Sequence, residues 1–177
     1  MRYLQLLVVV VLIPACSNGH QDPIPLLPET LLDASYQNGH ALVRNAGLYK
    51  GMEQMHVDLL NNYRDAWGLP RFAVSDALGA VGRAYGEHES QGGFFAHQND
   101  EGEYLDGRLY RASGVVMIAV AETLFVGFDP SPINVMDMFI ASPPHNAVLH
   151  STVVNTVGVG IYSDGTYYFV SYEFCWR

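Results

Sequence analysis

The sequence predicts an α+β domain in which helices cover a central antiparallel sheet. Three observations point there. Two stretches of helical apolar spacing precede a long apolar run, a third follows it, and the chain closes on a hairpin signal.

Met52, Met55, Leu59, Leu60, Tyr63 and Trp67 recur at helical spacing, and Gly68 with Pro70 stops that helix. Ser75 is an N-cap residue for a second helix, with Leu78, Val81 and Tyr85 on one face, running to about Glu89. Segment 90–107, SQGGFFAHQNDEGEYLDG, is rich in turn formers and reads as a loop. Segment 114–127, GVVMIAVAETLFVG, is almost continuously apolar and reads as a buried strand. A third helix follows Pro130-Ser131-Pro132, carries Val135, Met136, Phe139 and Ile140, and is ended by Pro143-Pro144. HNAVLHSTV, 145–153, makes one or two helical turns. The chain then alternates through TVGVGIYS and TYYFVSYEF around Asp164-Gly165, the signal for a two-residue hairpin turn. There are no internal repeats.

The chain has 177 residues, 49% of them hydrophobic and 15% charged, which is ample for one packed core. The formal net charge is −9 and the single lysine is Lys50. Affinity for nucleic acid rests on neutralising phosphates with lysine and arginine, so nucleic acid is not an expected partner.

The N-terminus reads MRYLQLLVVVVLIPACSNGHQD. The apolar run Leu6–Ile13 is too short for a spanning helix, which needs about 20 apolar residues, and fits a secretory leader. IPAC resembles the lipobox of bacterial lipoproteins, which implies cleavage before Cys16 and lipidation of that residue. The alternative is an ordinary leader cleaved near Ala15. The resulting division is a signal peptide at 1–15, a lipidated N-terminus and Pro-rich tether at 16–50, and a folded domain at 51–177. Such a protein is exported and held at an outer membrane or cell surface through its lipid, an anchor worth about 0.8 kcal/mol per buried CH₂. Ser17 is compatible with outer-membrane sorting. Cys175, the only other cysteine, reads as a small apolar residue near the chain end rather than a disulfide partner of Cys16.

Seven histidines are present. His20 and His40 lie in the tether, His56 and His88 continue apolar helix faces as hydrogen-bonded residues, and His150 points away from His145 on a helix. His97 and His145 each follow an ordered apolar segment in turn-forming surroundings. Glu122 interrupts an apolar run, where an unpartnered carboxylate is costly. Two imidazoles are natural partners for it, and two histidines with one glutamate are a known zinc ligand class with a position left for water. The other reading keeps Glu122 as a lone hydrogen-bonded carboxylate.

Six segments occur in an order that resembles the CAP superfamily, the SCP-like domain, in its short bacterial branch. They are LNNYRDAWGLP at 60–70, FFAHQNDEG at 94–102 with Arg108, AETL at 121–124, FIASPPHNAVLH at 139–150, VGVGIY at 157–162 and TYYFVSYEF at 166–174. The resemblance spans about residues 52–175. It implies an α-β-α sandwich and a cleft containing His97, Glu122 and His145, with Phe94 and Phe95 packed into the core to aim His97. Departures are Thr123 for the family's asparagine, Phe139 for its tryptophan and Pro144 for its glycine. The second glutamate of eukaryotic members is not carried over to any residue here.

No serine, cysteine or threonine stands in a nucleophile motif. The sequence is therefore read first as a binding module whose His97/Glu122/His145 cleft holds a lipid, peptide or cell-wall ligand, with zinc as a candidate cofactor. A metal-assisted hydrolase using the same three residues is the alternative, and a purely bracing trio with function on the surface is the third reading.

Overall fold

The computed structural model describes residues 8–9 and 47–176. The lipobox, Cys16 and the tether up to residue 46 lie outside the described residues. Ten elements are present: β1 (Val8–Val9), α1 (Lys50–Ala66), β2 (Ala73–Val74), α2 (Asp76–Gly92), α3 (Leu105–Ser113), β3 (Val120–Gly127), α4 (Pro132–Ala141), α5 (Pro143–Leu149), β4 (Thr156–Ser163) and β5 (Tyr168–Cys175). The sheet order is β1-β3-β5-β4-β2. The three pairings that hold β1, β3, β5 and β4 together are antiparallel, but β2 runs parallel to β4. The sheet is therefore mixed, not purely antiparallel as its hairpin suggested. Among the described residues, no helix is long and apolar enough to cross a membrane.

Side chains alternate across a strand, so each strand feeds two layers. On one face Ala121, Phe125, Tyr172, Phe174 and Val159 pack with α1, α4 and α5 through residues such as Leu60, Met136, Phe139 and Leu149. On the other, Val120 and Cys175 pack with Leu78 and Val81 of α2 and Leu109 of α3. The result is the α-β-α sandwich implied by the resemblance.

Local chemistry explains the motifs. Arg64 is buried, donating to Pro70 O at 2.7 Å, Leu149 O at 2.6 Å and Ser151 O at 2.9 Å, with its guanidinium 3.7 Å over the Phe72 ring. Asn61 exchanges both hydrogen bonds with the Phe72 backbone, at 2.8 and 3.1 Å. The LNNYR segment thus pins the turn after α1. The VGVG segment is explained by contact: a Cβ on Gly160 would stand 2.3 Å from the Arg83 backbone nitrogen, so α2 lies directly on the β4 backbone.

Ser75 caps α2 as expected, accepting from Leu78 N–H at 3.3 Å, and α2 runs three residues past Glu89 to Gly92. Four expectations are corrected. Helix α3 starts in the last three residues of the stretch read as loop and runs on through 108–113, to which the sequence reading assigns no element; its buried Leu105, Leu109 and Ala112 form a helical stripe that the preceding turn residues obscured. Only the second half of the apolar run is strand, and Val116 and Ile118 are exposed, since a continuous apolar run carries no period of its own. Pro143 does not merely end α4. It starts α5, because proline's fixed φ and missing N–H suit the first helical position. The β4–β5 connection is four residues long, with Asp164 Oδ1 accepting from Thr166 and Tyr167 N–H at 2.7 Å and Gly165 at φ 92°.

Candidate functional site

The site begins with Glu122 on β3. Its side chain points to the α2/α3 layer, directly opposite Glu173 of β5. Its Oε2 accepts from His97 Nδ1–H at 2.7 Å, and its Oε1 is ion-paired to the Arg108 guanidinium from α3. Because a carboxylate only accepts, the proton on His97 is at Nδ1. Arg108 Nη1 also donates to His97 O at 3.0 Å, and its guanidinium lies 3.5 Å over the Tyr85 ring. His97, Arg108 and Glu122 are only 3%, 4% and 2% exposed.

The backbone that carries His97 is held from α2. Tyr85 donates its hydroxyl to Ala96 O at 2.5 Å, and Glu89 Oε1 accepts from Ala96 N–H at 3.3 Å. Phe94 and Phe95 are only half-buried, so they do not aim His97 from the core. Phe94 instead sits on the edge of α2, with its ring 5.4 Å from His88 and 6.4 Å from Tyr85. The loop follows glycines on a solvent-facing path, and Tyr85 and Glu89 do the positioning that the aromatics were expected to do.

Burial is the main force on the acids here. It pushes Glu122 above the usual carboxylate range, while Arg108 pulls it back. Glu173 is pushed well above that range, first by burial and then by the negative charge of Glu122. Of this pair, Glu122 carries the charge, since it has the guanidinium, and Glu173 keeps its proton. Glu89 is likewise held well above the usual range by burial and then by Glu122.

His145 lies elsewhere. It is buried at the third residue of α5, hydrogen-bonded through Nδ1 to Ser142 Oγ at 2.8 Å. Its ring stacks on Phe139 at 5.0 Å, and Phe139 packs edge-on to Tyr172 at 5.1 Å. Tyr172 neighbours Glu173 in the strand and so faces the opposite layer from Glu122. His97 and Glu122 meet directly; His145 belongs to the other side of the sheet.

The CAP sequence model, described as the cysteine-rich secretory protein family, matches residues 57–175. The chain belongs to the CAP family. Three solved bacterial structures share this CAP fold. An outer surface protein of Borrelia burgdorferi aligns with a TM-score of 0.67 and 17% identity, over 73% of this chain and 95% of that one. An extracellular protein of Bacillus anthracis containing an SCP domain aligns at 0.61 and 21% identity, over 72% of this chain and 41% of that one. A cysteine-rich secretory protein of Staphylococcus aureus aligns at 0.58 and 15% identity, over 72% and 38%. The chain spans less than half the length of the latter two. No curated protein matches the sequence.

The CAP residues here do not fit a zinc ion. Both Glu122 oxygens are taken, one by His97 Nδ1–H and the other by the cationic Arg108 guanidinium. Among the described residues, no three His, Cys, Asp or Glu side chains are grouped to hold a metal ion. The expected ligand set of His97, Glu122 and His145 is thus replaced by an ion pair with a hydrogen-bonded imidazole. Sequence reading missed four members of this cluster: Arg108 as a site residue, Tyr85, Glu89 and Glu173. Signals existed for two. Glu89 stands four residues after Tyr85 on the α2 stripe, and Glu173 is an acid in an apolar strand, the same anomaly that singled out Glu122.

Proposed function

We propose that this chain is an exported CAP-domain binding module, tethered to a membrane through lipid on Cys16, in which the His97–Glu122–Arg108 network braces the domain and performs no chemistry. The closure of the network carries this reading: its three side chains are buried, and both Glu122 oxygens are occupied by protein donors. A hydrolytic site needs a nucleophile and an open position for the reacting atom, with groups in hydrogen-bond reach of both. The network instead joins three elements: the loop after α2, α3 and β3. Ligand recognition, whether of peptide or cell-wall chemistry, then falls to cavities and surfaces outside it. The lipobox-like IPAC supports the anchor, and the outer-surface and extracellular relatives sharing the fold support export.

Two measurements test this. The Glu122→Gln and His97→Ala variants are compared with the native domain in thermal unfolding and against panels of peptide and ester substrates. The expected result is lost stability in the variants and no turnover by any form. Turnover by the native protein that a folded Glu122→Gln variant lacks overturns the bracing role. Incorporation of a palmitate analogue into the native protein, and release of the Cys16→Ala form into the medium, is the expected result for the anchor; equal membrane retention of both forms overturns it.

A further inference from the structure

Away from that network, the N-terminal halves of α1 and α2, the residues just before α2 and the middle of β4 enclose a cavity of about 250 Å³. Its floor is buried and combines Glu53, Ser75 and Arg83 with Val57 and Val159. Its rim is exposed and carries Lys50, Asp76 and Val74.

The floor is charged and rigid. Arg83 Nη1 donates to Glu53 Oε2 at 2.7 Å, and Glu53 Oε1 accepts from Ile161 N–H at 3.0 Å. Both carboxylate oxygens are therefore spoken for. Arg83, about nine-tenths buried, has no further protein partner for its other donors among the described residues, and it lines the cavity. A guanidinium offers a planar fork of five donors, so a strong anion-recognition group faces the space. Ser75 Oγ accepts from Leu78 N–H and retains its own O–H to donate. The N-terminus of the 17-residue α2 adds its dipole in the same sense. At the mouth, the Lys50 ammonium and the Asp76 carboxylate stand 3.6 Å apart.

The lining thus holds two cations and two anions. A ligand of one sign meets repulsion from one pair. The apolar wall is limited to valines, too little for a lipid chain, and the volume lies below the roughly 300–1,000 Å³ of drug-sized sites. We propose that this cavity binds a compact zwitterion, a free amino acid or a short peptide with free termini. Its carboxylate meets the open donors of Arg83 and the Ser75 hydroxyl, and its ammonium meets Asp76 at the rim. The inference deepens the binding-module reading, but the cavity shares no residue with the His97–Glu122–Arg108 network.

The test is titration of the purified protein with alanine and alanyl-alanine, followed by amide NMR shifts and calorimetry. Acetate, N-acetylalanine and alanine amide are the controls. Saturable shifts are expected at residues 50–57 and 74–83, with each end-capped analogue at least about tenfold weaker, the loss expected for one charge-assisted hydrogen bond. Lys50→Ala and Asp76→Asn alter only exposed side chains, and Asp76→Asn is expected to weaken alanine without unfolding the domain. The double variant Glu53→Gln/Arg83→Gln keeps the floor neutral and is expected to abolish binding while remaining folded by circular dichroism. No saturable shift at millimolar ligand overturns the proposal. So does equal binding of the capped analogues, or binding unchanged in both the Asp76→Asn and the folded double variant. None of these outcomes alters the stability test of Glu122→Gln, so the two readings fail separately.

Discussion

Replacing Arg108 with methionine isolates the charge at the centre of the domain. Methionine keeps an unbranched apolar stem over Tyr85 but removes the cation that partners Glu122. The carboxylate is then buried without a cation, with only the neutral donors His97 Nδ1–H and the protonated Glu173 beside it, and must ionise unpaired or take up a proton. Protonation sets the ceiling on the cost. For a model carboxyl with a pKa near 4.3, holding the proton at pH 7 costs about 4 kcal/mol at 1.36 kcal/mol per unit. That agrees with the roughly 3–5 kcal/mol typical of breaking a buried ion pair. With an unfolding entropy near 2 cal/mol/K per residue, the melting temperature falls by about 10–20 °C. The sign of the pH dependence is specific. In the variant the folded pKa of Glu122 is raised, so the deficit is largest at high pH and shrinks by about 3 kcal/mol between pH 7 and pH 5. The double variant Arg108→Met/Glu122→Gln removes the orphaned charge while keeping an acceptor for His97, and it recovers much of the loss. Urea unfolding at both pH values measures the native protein, Arg108→Met, Glu122→Gln and the double variant. A deficit under about 1 kcal/mol at pH 7, a deficit equal at the two pH values, or a double variant no better than the single one refutes the network described here.

Three further outcomes follow from the same structure. His56 donates from Nε2 to Pro130 O and accepts from Tyr172 at Nδ1, and burial lowers its pKa from 6.5 to about 4. The unfolded chain then binds more protons between those values, so stability drops as pH falls through that window, by on the order of 3 kcal/mol, and His56→Gln flattens the slope in urea titrations. Glu173 behaves in the opposite sense: its raised folded pKa makes it a liability as pH rises above the ordinary carboxylate range. Glu173→Gln therefore unfolds at higher denaturant than the native protein at pH 8 and matches it at low pH; a destabilised variant at pH 8 contradicts the protonated assignment. Gly160→Ala places a Cβ 2.3 Å from the Arg83 nitrogen and 2.6 Å from the Gly82 carbonyl carbon, and costs at least about 1–3 kcal/mol by calorimetry. Gly51→Ala, with nothing within 4 Å, serves as its control and is neutral or stabilising.

Periodicity and punctuation along the chain determine much of this fold. Apolar residues at helical spacing from Met52 to Tyr63 marked α1, Ser75 marked the start of α2, and alternation around Asp164 marked the β4–β5 pair, because each is a local signal written within a few turns of chain. The order of the six segments marked the family for the same reason. Glu122 was legible as an anomaly, since an acid in an apolar strand demands a partner whatever the fold. Its partners were not legible. Arg108 comes from a helix hidden among turn formers, and Glu173 comes from a strand 51 positions later whose register with β3 is set by tertiary pairing. The separation of His145 from Glu122 has the same origin. Which face of a sheet a residue occupies depends on strand register and on which helices cover that face, and no spacing along the chain encodes either.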